Sequence, residues 1–203
     1  MIHGELSRLQ IVVLAAGLSS RMGSPKAFAR INGISLIRRT IKVLRPFAAK
    51  QIIVVTGPRA QRIRSELRGS PIAFAVNPNR TLGLATSVAR GLRAGRYSGA
   101  ALLLPMDLGG LTSRDIQRLI SRWLLARRRV TARRIDGRPA TPLILPRSLF
   151  PRVAEIDGDR GLRYLLAELG AEKTCLVELP SAARDIDTPA DLGAARRRAR
   201  RCI

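Results

Sequence analysis

Leu9-Gln10-Ile11-Val12-Val13-Leu14 runs straight into Ala15-Ala16-Gly17-Leu18-Ser19-Ser20-Arg21-Met22-Gly23-Ser24-Pro25-Lys26. An apolar, β-branched run that ends in small residues and then delivers one arginine and one lysine reads as a strand opening into an anion-holding loop. Ala15, Ala16 and Gly17 carry almost no side chain, so backbone N–H groups there can approach a phosphate closely, while Arg21 and Lys26 supply full charge. The chemistry is that of a nucleotide site.

The loop is neither of the two familiar phosphate loops. A dinucleotide fingerprint needs G-x-G-x-x-G, and a P-loop needs G-x-x-x-x-G-K-[ST] running into a helix. Gly17 and Gly23 are one residue too far apart for a P-loop, and Lys26 does not directly follow Gly23. Pro25 biases Ser24 toward an extended conformation, so the loop is expected to wander over its ligand before the next helix begins near Ser35. The plainer alternative is a glycine-rich connector carrying two solvated cations.

Outward from this stretch, apolar runs alternate with amphipathic ones. Strands are expected at Leu9 to Leu14, Gln51 to Thr56, Ile72 to Val76, Ala100 to Leu104, Thr141 to Leu145 and Cys175 to Leu179. Helices are expected at Ser35 to Leu44, Arg59 to Leu67, Leu84 to Ala94, Ser113 to Arg128, Gly161 to Leu169, and from Pro189 onward. This alternation is the pattern of an α/β protein, a Rossmann-like three-layer sandwich with a mainly parallel sheet. Thr112 or Ser113 ahead of Asp115, and Thr188 ahead of Pro189 with Asp191 in the first turn, are helix starts. Tyr97, Trp123 and Tyr164 fall among apolar positions and read as packing residues.

The 203 residues suffice for one domain, 1–203, and 46% hydrophobic with 25% charged residues is ordinary globular composition. No apolar run approaches the ~20 residues that cross a bilayer. Glu5 and Arg8 break any signal-peptide pattern, so a cytoplasmic protein with no membrane role is expected. Cys175 and Cys202 have neither metal-ligand nor disulfide-framework spacing and read as free thiols, Cys175 in the core.

Thirty-seven basic against 14 acidic residues give a formal net charge of +23. A nucleic-acid binder would share this balance but would also present stacking aromatics, and aromatic content is 3%. Lys26, Lys42, Lys50 and Lys173 are the only lysines, so the excess is arginine, as a coding bias or as steering of an anionic substrate would give. Arginines crowd Arg122 to Arg138 and Arg196 to Arg201, where helix ends accommodate them against the macrodipole.

Asp107 closes the run Ala101-Leu102-Leu103-Leu104-Pro105-Met106. In an open parallel sheet, ligands bind beyond the carboxyl ends of the strands, so this carboxylate should face the crevice of the Gly17 loop. Asp187 lies where another segment leaves a strand and starts a helix. Two carboxylates in one anionic site repel the substrate unless a cation lies between them, and Mg²⁺, which takes a few carboxylates with phosphate oxygens and water, suits that place. Alone, Asp185, Asp187 or Asp191 also reads as a turn former or N-cap.

Leu14 to Lys26 resembles the signature L-A-[AG]-G-x-S-x-R-M-G-x-x-K of the nucleotidyltransferases related to the molybdenum-cofactor cytidylyltransferases and guanylyltransferases. Asn77-Pro78 with Gly83-Leu84-Ala85-Thr86-Ser87-Val88, Leu104-Pro105-Met106-Asp107, and Asp185-Ile186-Asp187-Thr188-Pro189-Ala190-Asp191-Leu192 agree in order and spacing. The resemblance covers nearly the whole chain and implies a fold of the nucleotide-diphospho-sugar transferase type. It assigns metal binding to Asp107 and Asp187, and nucleotide binding to Leu14, Ala15, Ala16, Gly17, Lys26, Asn77, Gly83 and Ser87, with Thr86 beside them.

The implied reaction is attack of an acceptor phosphate on the α-phosphorus of a nucleoside triphosphate, with Mg²⁺ on the triphosphate and Arg21 and Lys26 stabilising the departing pyrophosphate. No general base is needed, and the only histidine is His3. Ala16 holds a position that is glycine in guanylyl-transferring relatives; its methyl narrows the room beside the base and favours CTP over GTP. Molybdopterin is the implied acceptor and a molybdoenzyme the implied client. Ala140-Thr141-Pro142 replaces the Gly-His-Pro of many relatives, while Gly158-Asp159-Arg160-Gly161 is kept, so a sugar phosphate or isoprenoid phosphate stays open as acceptor. Arginines from 133 to 138 are placed to grip an anionic acceptor. The reading of another class is a basic nucleic-acid-binding protein on the same scaffold.

Overall fold

The computed structural model describes residues 6–17, 19–47, 52–57, 60–95, 99–155, 161–182 and 185–200. The opening apolar run is strand β1 (Leu9–Ala15), buried at every position. A strand apolar on both faces needs cover on both, and β1 lies inside the sheet, parallel to β4 (Ile52–Thr56) on one flank and to β6 (Ala100–Pro105) on the other. β5 (Ile72–Val76) extends the first flank in parallel. On the second flank β8 (Arg138–Pro146) runs antiparallel to β6, followed by β7 (Val130–Ile135) and the edge strand β9 (Thr174–Val177). The order is β5-β4-β1-β6-β8-β7-β9, with only β8 running against its neighbours, so the mainly parallel α/β sandwich is the observed architecture.

Alternation along β1 distributes its side chains to two helical layers. Ile11 and Val13 meet α1 (Leu36–Leu44), α2 (Ala60–Glu66) and α4 (Ser113–Leu125) through Ile37, Ile41, Ile63, Ile116, Leu119 and Trp123. Val12 and Leu14 meet α3 (Leu84–Ala94), α5 (Phe150–Ala154) and α6 (Gly161–Lys173) through Val88, Leu92, Val153, Leu162 and Leu166. Each such side chain contributes roughly 1.5–3 kcal/mol when fully buried. Among the described residues no helix is long and apolar enough to cross a membrane.

Several expected boundaries move. The arginine-rich stretch after α4 is β7, hairpinned to a β8 that begins at Arg138 rather than Thr141, because Asp136-Gly137 turns the chain tightly. α4 stops at Leu125, α6 continues to Lys173 across a kink at Gly170 (φ 64°), and the last strand is Thr174–Val177. A hairpin of β2 (Arg30–Ile31) and β3 (Ile34–Ser35) precedes α1. Its turn residues Asn32 and Gly33 have φ of 49° and 76°, the two positive values an Asn-Gly type I′ turn requires. Trp123 is buried as expected, whereas Tyr164 is 55% exposed. Tyr97, His3 and Cys202 lie outside the described residues.

After β5 the chain returns through α3 to place β6 on the opposite side of β1. The strand order reverses between β1 and β6, and an open sheet offers its ligand crevice at the carboxyl ends of that pair. Lys26 follows β1 and Asp107 follows β6.

Candidate active site

Beyond β1 the chain makes two short 3-10 turns, Ser20–Met22 and Lys26–Phe28, separated by the extended Pro25. The Lys26 N–H donates to Ser19 Oγ at 3.1 Å, which folds the loop back on itself and turns the lysine inward. The Lys26 side chain is 11% exposed, and its ammonium donates to Asp107 Oδ2 at 2.9 Å and to Asp187 Oδ1. Arg21 Nη1 lies 3.2 Å from the second oxygen of Asp187, with its own side chain 72% exposed. The Lys26 ammonium thus lies between the two carboxylates to which the resemblance assigns the metal. Burial works against its charge, but the hydrogen bond to Asp187 and the field of Asp107 outweigh it and raise the Lys26 pKa above its ordinary value. The ammonium therefore stays charged throughout the neutral range, and its contribution to the pair is lost as pH rises through that raised value.

Asp187 reaches the site through backbone contacts. The Ile186 N–H donates to the Asp107 carbonyl at 2.9 Å, and the Ile186 side chain joins Met22, Ile31, Leu36 and Ala195 in a cluster that fastens α7 (Pro189–Arg200) to the phosphate-type loop. At the start of α7, Asp191 Oδ2 accepts from the Thr188 hydroxyl at 2.7 Å, the Thr188 N–H at 2.8 Å and the Asp187 N–H at 3.1 Å. Asp191 is thus the capping residue that fixes the Asp187 backbone. These bonds, the Thr188 hydroxyl first, hold its carboxyl below the usual range. A depressed carboxyl stabilises above its unfolded pKa and loses that contribution as pH falls through the folded value. Asp191→Asn should flatten the acid limb of a thermal-stability profile below about pH 4, and an unchanged limb would remove the cap from the account.

Gly110 lies against the turn Pro180–Ala182 that precedes this segment: a Cβ there would fall inside the contact radius of the Ser181 carbonyl oxygen. Backbone yields poorly, so Gly110→Ala should cost about 1–3 kcal/mol in denaturant unfolding and lower turnover by displacing Asp187. Unchanged stability and turnover would show the approach to be relaxed.

The opposite wall comes from the segment after β5. Asn77 is buried and donates through Nδ2 to Thr86 Oγ1 and Ser87 Oγ, both at 2.9 Å, while its Oδ1 accepts from the Asn79 N–H at 3.0 Å. It shapes the turn rather than facing the cleft. Gly83, with φ 103°, adopts a conformation that disfavours side chains and opens α3 with no side-chain cap, leaving N–H groups at the cleft. Leu14, Ala16, Gly17, Arg21, Lys26, Gly83, Ser87, Asp107 and Asp187 share one cleft of about 410 Å³. Ala15 lines a narrow adjoining pocket, and Thr86 is committed to Asn77, Asn79 and Gly83. Arg80 lines both cavities and was missed by sequence reasoning; an arginine in a turn at the carboxyl end of a parallel strand is the signal that marks it.

On the far side of Asp107 the arginines differ from expectation. Arg133 has a side chain only 5% exposed, with Nη1 3.9 Å from Asp185 Oδ1. Burial lowers its pKa, and burial together with the field of Asp107 raises that of Asp185. Arg134 pairs with Glu178 at 3.4 Å. Arg133 is thus buried beneath Asp185 rather than presented at the surface, while Arg138 stays exposed. Gly158-Asp159-Arg160 lies outside the described residues.

The family model for the MobA-like NTP transferase domain matches residues 11–174. The chain is 31% identical to a probable molybdenum cofactor guanylyltransferase of Rhodopirellula baltica, over 95% of this chain and 94% of that protein. It is 28% identical to a molybdenum cofactor cytidylyltransferase of Escherichia coli, over 95% and 98%. Among solved structures, a homologue from Mycobacterium sp. strain JC1 of a Mycobacterium tuberculosis protein superposes with a TM-score of 0.82 over 97% of this chain and 99% of that one, at 24% identity, a likeness of fold. By the family model and these relatives, the chain belongs to the MobA-like NTP transferase family and is a nucleotidyltransferase.

Proposed function

We propose that the protein, acting as one domain in the cytoplasm, transfers a nucleoside monophosphate from a nucleoside triphosphate, with CTP favoured over GTP, to a phosphorylated small molecule, with molybdopterin as that acceptor, and releases pyrophosphate. The product would pass to a client molybdoenzyme, without nucleic-acid or membrane binding. The observation that carries the reading is the Lys26 ammonium held by Asp107 and Asp187 inside the cleft of the Gly17 loop.

Asp107 and Asp187 fit Mg²⁺. Both offer hard oxygen donors, and Mg²⁺ needs only one or two carboxylates, since phosphate oxygens and water complete its shell. When bound, it would neutralise charge on the triphosphate. The protein's own part is positioning and charge. The N–H groups around Ala16 and Gly17 receive the nucleotide, and Ser87 and the start of α3 bound the nucleoside. Lys26 and Arg21, which share Asp187, exchange carboxylate oxygens for those of the leaving pyrophosphate. Arg21 does so at little cost, because an ion pair of so exposed a side chain contributes little. An acceptor phosphomonoester is largely ionised at neutral pH, with a second pKa near ~6, so no base is required.

The test is pyrophosphate release from each of four nucleoside triphosphates with molybdopterin, with and without Mg²⁺. Mg²⁺-dependent release, fastest with CTP, is expected, and Ala16→Gly should narrow the gap between CTP and GTP. Release with no acceptor dependence, or none with any triphosphate, would refute the proposal.

A further inference from the structure

We infer that Arg80 is a specificity-determining residue that reads the nucleobase, admitting cytosine or guanine and rejecting adenine and uracil. The inference rests on the cleft being the nucleoside triphosphate site and adds to it what selects the base. Arg80 opens the turn Arg80–Leu82 after β5. In the sheet order β5 and β6 stand on opposite sides of β1 and β4, so Arg80 borders the end of the cleft remote from Asp107 and the cations bound to it. That remote end is where the nucleoside lies once the phosphates occupy the Lys26 end.

The Arg80 side chain is laid across the floor between two strands. Its Nη1 donates to the Ala16 carbonyl at 3.5 Å, the one hydrogen bond it makes among the described residues and a weak one at that length. Gly57, at the end of β4, leaves the room this requires: a Cβ there would stand 2.7 Å from Arg80 Cδ and 3.2 Å from Nε. The arginine is therefore seated by a missing side chain on one strand and a carbonyl on the next. Among the described residues, most of its five N–H donors have no partner at this cavity wall.

A guanidinium presents two parallel N–H groups and binds best where two acceptors lie side by side. Guanine offers O6 with N7, and cytosine offers O2 with N3. Adenine sets its amino group beside each ring acceptor on that side, and uracil sets N3–H between its two carbonyls, so neither supplies the pair. Arg80 thus separates cytosine and guanine from the other two bases, and size near Ala16 separates those two from each other.

Calorimetric titration of the four nucleoside triphosphates with Mg²⁺, and of inorganic tripolyphosphate as a probe of the phosphate end, tests this on wild type, Arg80→Lys and Arg80→Met. Arg80→Lys keeps the charge and loses the fork. The wild type should bind CTP or GTP about 10- to 100-fold more tightly than ATP and UTP. Both variants should compress that spread to within about threefold and leave tripolyphosphate affinity unchanged, and Gly57→Ala, which crowds Arg80 off its seat, should reproduce the compression. An unchanged ranking in the variants, or equal affinities in the wild type, overturns the inference alone. An equal loss for tripolyphosphate and all four nucleotides makes Arg80 a phosphate contact and also overturns it. Failure of the wild type to bind any of these anions defeats the nucleotide reading and the inference with it.

Discussion

Lys26→Ala is expected to lower kcat by about 10²–10³-fold, the usual loss when a preorganised positive group facing developing charge is removed, with a change in triphosphate affinity of less than about tenfold. The charge matters most as pyrophosphate departs, so turnover suffers more than binding. A second consequence has the opposite sign. The ammonium occupies the space between Asp107 and Asp187, and its removal leaves two facing carboxylates with only the exposed Arg21 guanidinium, on Asp187, against their charge. The variant should therefore bind Mn²⁺, measured without nucleotide by electron paramagnetic resonance, more tightly than the wild type. Rapid-quench turnover and Mn²⁺ titration together check this. Unchanged kcat with weakened nucleotide binding, or weakened Mn²⁺ binding, would contradict the role.

Asp107→Asn keeps the shape of the side chain and removes one charge. Turnover should fall by about 10²-fold or more, and the Mg²⁺ concentration for half-maximal rate should rise at least about tenfold, as disturbance of a metal site commonly produces. Global stability should change little, because Lys26 keeps Asp187 as a partner and the penalty of an unpaired buried charge is avoided. Steady-state kinetics over a Mg²⁺ series measures the first two effects and urea unfolding the third. Wild-type Mg²⁺ dependence in Asp107→Asn would separate this aspartate from the metal.

The parts of this arrangement that follow from local chemistry were legible in the chain. Leu9 to Leu14, apolar at nearly every position, had to be a strand buried on both faces, and its position inside the sheet follows. The helix start at Thr112 or Ser113 ahead of Asp115 is a short-range pattern, and the structure resolves it as a capping box with Thr112 as the cap. What escaped depends on distant contacts. β7 hid behind its arginines: Arg133 is buried within the fields of Asp185 and Asp115, both distant in the chain, so charge suggested surface where the fold places core. The lysine between the carboxylates could not be read from spacing, because Asp187 arrives through the Ile186 bond to Asp107 and the packing of α7. Asn32-Gly33 was a readable hairpin signal that the loop reading passed over.

A crystal structure with a non-hydrolysable CTP analogue and Mn²⁺, with the anomalous signal of the ion recorded, bears on the foundation of the whole account. The expected result is an anomalous peak at the Asp107 and Asp187 carboxylates, in contact with the triphosphate, with the Lys26 ammonium moved onto phosphate oxygens and the base at the Arg80 end of the cleft. A nucleotide bound elsewhere, or an ion peak away from both carboxylates with Lys26 still between them, would contradict it.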